Sequence, residues 1–156
     1  MHQHTAKILW QRTGPDFLKG QYSREHTWLF DGGASIGASP SPHNVPLPWC
    51  NPASVDPEEA FVASISSCHM LTYVWLASKA GFQVDRYEDE AVGFMDKNEK
   101  GAAYIARVTL NPKIQHSGPK LPSPADETRL HHAAHEQCFI ANSIKTEVAV
   151  AVATHI

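Results

Sequence analysis

Three cysteines, at positions 50, 68 and 138 of the 156-residue chain, are its main candidates for chemistry. Cys68 lies between Ser67 and His69 in a stretch, Ala60 to Ser78, that holds no Asp, Glu, Lys or Arg. A thiol reacts as its thiolate, which needs a nearby cation or a helix N-terminus. The stretch reads as a helix with Cys68 at its middle, so the N-terminus gives no help. His69 points about 100° away around the helix. Either a cation arrives from elsewhere in the fold, or Cys68 is packing, the common fate of a cysteine in an apolar helix. Cys138 follows a run of histidines: His131, His135 and Cys138 fall at i, i+4 and i+7, one face of a helix and a pattern that suits a metal. No HExxH or CxxC accompanies them, so the pattern reads equally well as core or surface. Cys50, beside Trp49, is either a further reactive thiol or a loop residue, the second being the favoured reading.

The elements that must position these residues can be read along the chain. Asp56, Pro57 and Glu59 form a helix start with a capping box, and Lys79 and Gly81 form a helix end. A helix apolar on nearly all sides must be covered on nearly all sides. Upstream, Thr5–Thr13 and Ser23–Phe30 read as strands, broken by Gly14-Pro15-Asp16 and ended by Asp31-Gly32-Gly33. The prolines at 40, 42, 46, 48, 52 and 57 exclude helix and central strand from Ser39 to Pro57, leaving a long ordered loop. Downstream, Phe82–Phe94 predicts a strand with Val84, Tyr87 and Val92 inward. A charged turn at 96–101 follows, then a returning strand at Tyr104–Leu110. Pro112–Pro124 reads as a surface connection, and Ser123 or Asp126 as the cap of a second helix through Gln137. Phe139–Lys145 continues that helix or forms a separate turn, and Thr146–Thr154 is a last strand. The order is α+β, a single domain over residues 1–156, with mainly antiparallel sheets packed on two long helices. So few strands cannot cover the central helix from one chain, and an interwoven homodimer is expected.

Composition sets the class. A net charge of −3 and 19% charged residues give no reason to expect nucleic acid or an anionic membrane as partner. The uncharged run approaches the roughly 20 residues a bilayer requires, but its serines, Thr72 and His69 favour a buried helix. MHQHTAKILW lacks a signal peptide's basic and apolar regions. Three irregularly spaced cysteines make no disulfide scaffold, and the expected compartment is the cytoplasm.

The segments DPEEAFVASISSCHML, YSREH, the AGF that closes the helix and AHEQCFIANSIKTEV together resemble the OsmC/Ohr family of osmotically inducible and organic hydroperoxide resistance proteins. The lead-in YSREH…FDGG…SPSP is similar to an OsmC-like branch. The resemblance implies a thiol peroxidase with no bound cofactor and no metal, acting on organic hydroperoxides and reset by an external dithiol. It implies Cys68 as the peroxidatic cysteine, Cys138 as the resolving one, and Glu58 as the holder of a catalytic arginine. Residues 25–57 contain no arginine, so Arg24 is the expected one and Arg12 the alternative. Phe139 stands where many relatives have proline. Trp49, Phe61 and Met70 are candidate apolar neighbours of the peroxide. Ten helical residues, about 15 Å of rise and some 80° from eclipsed, separate Glu58 from Cys68. Unless the helix breaks, Glu58 would therefore serve the Cys68 of the other subunit, placing the sites at the dimer interface. Two other classes of function stay open: a non-enzymatic redox-sensing or ligand-binding protein, and a metal-binding protein using His131, His135 and Cys138.

Overall fold

The computed structural model describes residues 1–151 and divides into two compact units, one ending at Ala60 and the other beginning at Phe61. The first unit is built on an antiparallel meander of β1 (Ala6–Leu9), β2 (His26–Phe30) and β3 (Ser35–Ala38). β1 is shorter than the apolar run predicts because Trp10 leaves the ladder for its own cluster. Its ring meets Tyr22 edge-on at 5.7 Å, and its indole N–H donates to the Ser23 carbonyl at 2.9 Å. β3 carries no periodicity that sequence could show; it forms because Gly33, at φ 89°, reverses the chain onto β2. The proline-rich stretch is ordered without helix or strand. Ser39 ties it down: its backbone N–H donates to the Val55 carbonyl, and its hydroxyl accepts the Asn51 N–H at 2.8 Å.

Helix α1 runs unbroken from Pro57 to Lys79. Its capping box forms as predicted: Asp56 accepts the Glu59 N–H at 2.7 Å, and Glu59 accepts the Asp56 N–H at 3.1 Å. At the other end Gly81 takes φ 80°, Phe82 N–H reaches the Ala77 carbonyl, and Gly81 N–H reaches that of Ser78. This is a Schellman closure, and buried Phe82 packs in the same cluster as Ala77. Only Ile65, His69, Tyr73 and Ala77 of α1 are buried, a single stripe at four-residue steps. By length and composition alone the helix could cross a bilayer. Leu71 and Trp75, on the other side, are 63% and 53% exposed.

The second unit continues with a long bent ribbon. The predicted strand Phe82–Phe94 is two strands, β4 (Gln83–Asp89) and β5 (Val92–Lys97). The return is also double: β6 (Ala103–Leu110) pairs with β5, and β7 (Pro112–Ser117) with β4. The bend is set by Asp89, whose carboxylate accepts the Asn111 N–H at 2.6 Å and the Ser66 hydroxyl at 2.5 Å, fixing both strands to α1. Pro112–Ser117 is therefore strand and not surface connection. Its proline occupies the first strand position, where no ladder donor is needed. Val84 and Tyr87, three apart, face one side because a bulge between Val84 and Arg86 adds a residue. Val92, expected inward, is 44% exposed.

Helix α2 (Pro124–Gln137) is capped by Ser123, reciprocally with Asp126. A separate 3-10 turn, Ala141–Ser143, follows it. β8 (Glu147–Val150) joins β6 in parallel, unlike the antiparallel pairs elsewhere. The rest of its predicted length, to Thr154, lies outside the described residues. Two apolar clusters result. Tyr73, Ala77, Phe82, Leu130 and Ala134 form one; Ile65, Val108 and Leu110 form the other, with Phe61 against it. His69 sits on the buried stripe between Ile65 and Tyr73.

Candidate functional site

The chain brings Cys68 and Cys138 together: their Sγ atoms are 2.7 Å apart. The two reach this point from unlike settings. Cys68 is fixed at the centre of α1, its carbonyl also accepting the Thr72 hydroxyl at 2.9 Å. Cys138 is the residue at which α2 stops, with extended φ −71° and ψ 116°. The Asn142 amide closes that helix end, donating to the carbonyls of Glu136 at 2.8 Å and Cys138 at 3.0 Å. Cys138 is 1% exposed and Cys68 half-buried. Burial, then the contact with Cys68, pushes the Cys138 thiol up, while the Ala141 N–H, 3.4 Å from its sulfur, acts in the opposite direction. A half-exposed thiol against a buried one, on separate elements, can be oxidised at the first and closed to a disulfide by the second.

His131, His135 and Cys138 do face α1 together: His131 Nδ1 meets His69 Nε2 at 3.0 Å, His135 is close enough to His69 to act on its charge, and Cys138, the residue that closes α2, meets Cys68. Among the described residues no group of three or more His, Cys, Asp or Glu side chains is placed to hold a metal ion. The His69–His131 pair went unseen in the sequence. Its signal was available: His69 shares the four-residue spacing of Ile65, Tyr73 and Ala77. The rings are parallel to within 8°, and Tyr73 packs on His131 at 4.4 Å. Burial holds both imidazoles near pKa 4, so the pair is neutral at pH 7.

The other expected residues lie in the first unit. The Arg24 guanidinium donates to the carbonyls of Gly20 and Tyr22, both at 2.8 Å, and stacks 3.8 Å over the Tyr22 ring. Its backbone N–H donates to the Trp49 carbonyl at 3.0 Å. Glu58 accepts from the Asn44 amide at 3.1 Å through one carboxylate oxygen, and its other oxygen is buried without a hydrogen bond. Among the described residues no ion pair joins Arg24 to Glu58 within one chain. Cys50 is buried in the proline-rich loop, as a loop residue would be.

With this geometry in place, similarity to known proteins can be weighed. A family model described as OsmC-like protein matches residues 51–153. No protein with a curated description matches the chain. A solved structure of an OsmC-like protein of unknown function from Vibrio cholerae is 48% identical, covers 98% of this chain and 100% of its own, and superposes with a TM-score of 0.95. More distant solved structures share the fold. One is an organic hydroperoxide resistance protein OsmC from Legionella pneumophila, 15% identical, covering 96% of this chain and 94% of its own, TM-score 0.68. Another is an organic hydroperoxide resistance protein from Elizabethkingia anophelis, 19% identical with the same coverage, TM-score 0.65. Two helices with mainly antiparallel sheets, a pair of free thiols in contact between the helices and a family match across about two thirds of the sequence converge, and the chain belongs to the OsmC-like protein family.

Proposed function

We propose that the protein is a thiol-dependent peroxidase that reduces organic hydroperoxides, with Cys68 peroxidatic and Cys138 resolving. The 2.7 Å approach of the two sulfurs carries this reading. The Cys68 thiolate attacks the outer oxygen of ROOH; the O–O bond breaks, a proton joins the departing alkoxide, and ROH leaves with Cys68 as a sulfenic acid. Cys138 attacks that sulfur, the S–O bond breaks, and water leaves as the disulfide forms. An external dithiol then reduces the disulfide, so no bound cofactor or metal takes part. The names of two proteins of similar fold, both organic hydroperoxide resistance proteins, support an organic rather than a hydrogen peroxide substrate.

Arg24 is assigned to polarise the peroxide and stabilise the thiolate, its fork suiting an anion and a second acceptor at once. Glu58 is assigned to hold it, in the site of the other subunit; the unbroken course of α1, which keeps Glu58 away from Cys68 of its own chain, supports this reading. The orphaned oxygen of Glu58 supports this assignment. We infer a homodimer in which the exposed side of α1, with Leu71 and Trp75, is covered by a second copy. We propose a cytoplasmic location, a reading that the few, irregularly spaced cysteines support. Turnover of cumene hydroperoxide with a dithiol tests the reading. Cys68→Ser is expected to abolish it, and Cys138→Ser to allow one oxidation and then stall. Full activity in Cys68→Ser would sink the proposal.

A further inference from the structure

The two sulfurs of the pair are not equivalent targets once joined. We infer that the reducing thiol enters at Cys68 and that Cys138 is the group expelled, so that one approach to Cys68 admits first the peroxide and then the reductant. This rests on the peroxidase reading for its place in a cycle, but it concerns the disulfide alone.

Exchange needs the entering, central and departing sulfurs nearly in line. Attack at Cys138 would have to come from the side opposite Cys68. That side is closed: Cys138 is 1% exposed, at the end of α2, with the Asn142 amide across its carbonyl and Ile140 packed on the Ile65 cluster. Cys68 is half-buried, and a route to its sulfur must exist for any peroxide to reach it. The departing side is also furnished, since the Ala141 N–H lies 3.4 Å from the Cys138 sulfur and can donate to the thiolate as it forms.

Leaving-group chemistry alone gives the opposite answer. Burial pushes the Cys138 thiol up and so makes it a slow leaving group, which counts against attack at Cys68. Access and chemistry therefore disagree, and the structure decides for access. The step balances. The entering thiolate forms a mixed disulfide with Cys68, and the old S–S bond breaks with its electron pair going to Cys138. The second thiol of the dithiol then attacks its own sulfur in the mixed disulfide, freeing the Cys68 thiolate and leaving the dithiol oxidised by two electrons.

The test uses the full-length protein oxidised with diamide, so that no peroxide is involved. Excess glutathione is added, exchange is stopped by acid within seconds, free thiols are alkylated, and the glutathione adduct is located by peptide mass spectrometry. The expected result is an adduct on Cys68 at least tenfold more abundant than on Cys138. An equal split or an excess on Cys138 overturns the inference. If reclosure is too fast for an adduct to accumulate, the reaction of the reduced variants with Ellman's reagent decides. Cys138→Ser, which keeps Cys68, should react at least tenfold faster than Cys68→Ser, and equal rates overturn the inference. Loss of peroxidase activity with the Cys68 preference intact would defeat the functional reading alone.

Discussion

Protonating the His69–His131 pair should destabilise this protein at a pH most domains tolerate. His69 is 1% exposed, its pKa lowered from 6.5 to about 4. The largest cause is burial; His135 on α2 adds to it, and Asp89 at the end of β4 opposes it. His131 is lowered to about 4 by burial, by His69 and by His116 on β7. A histidine whose folded pKa lies below its unfolded value binds more protons when unfolded, so stability falls as pH drops from 6.5 towards 4. At pH 5 the unfolded ring is almost fully protonated and the folded one almost fully neutral. The difference from pH 7 is about 2 kcal/mol for His69. His131 is only half-buried, and solvent screening reduces its share, so the pair should lose roughly 2–3 kcal/mol. Against a typical stability of about 5–15 kcal/mol, that is a large fraction.

The assay is urea unfolding followed by tryptophan fluorescence at pH 7 and pH 5. His69→Gln keeps a polar group on the stripe but cannot titrate. It should be less stable than the parent at pH 7, yet its loss between pH 7 and 5 should be about 2 kcal/mol smaller. Equal losses for parent and variant, within about 0.5 kcal/mol, would refute the argument, because the titration would then belong to other groups. Ring-proton NMR gives a direct check, with neither resonance moving above pH 5.

Other consequences follow from single contacts. A Cβ on Gly93 would lie 2.7 Å from Val62 Cγ2, and a β-branched side chain has little room to turn away. Gly93→Ala should therefore cost about 1–3 kcal/mol in urea unfolding, and a neutral result would show that β5 can lift off α1. Asp56→Ala removes half of the capping box and should cost about 0.5–2 kcal/mol without altering the thiols' mass-spectrometric oxidation pattern. If a second copy covers α1, Leu71→Glu with Trp75→Glu should convert a dimer to monomer by sedimentation. A parent that already sediments as a monomer at micromolar concentration would remove that proposal.

How much of this was legible in the sequence depended on whether the signal was local. The caps of α1 and α2 are contained in a few residues each, and Asp56, Glu59, Gly81 and Ser123 act as their types predict. The bend of the ribbon was not legible. It depends on Asp89, Asn111 and Ser66, three residues far apart in sequence, and without it Pro112 reads as a breaker rather than as the start of β7. The bulge that puts Val84 and Tyr87 on one face defeats strict alternation for a similar reason. At the site, the cysteines were found through two motifs taken jointly. The metal alternative finds no support among the described residues, because His131 meets His69 and Cys138 meets Cys68, partners that spacing within α2 does not reveal.

At Cys138 only ψ departs from helical values: φ −71° keeps its side chain on the α1-facing side of α2 with His131, while ψ 116° turns the chain that follows away from the helix. Cys138 is therefore anchored by helix on one side only, whereas Cys68 is held by helix on both sides. The extended Cys138 belongs to a short connection, residues 138–140, leading to the 3-10 turn. Rotation there can move the Cys138 sulfur while that of Cys68 stays fixed. The same connection carries Phe139, 83% exposed, at the position where the family resemblance leads one to expect proline. Proline would fix φ at that position and restrict the residue before it, which is Cys138 itself. Phe139→Pro should therefore slow or hasten disulfide closure without changing the rate of the first oxidation, a separation that rapid-mixing measurements of the two steps can resolve. Equal effects on both steps would mean that the connection does not govern the resolving sulfur.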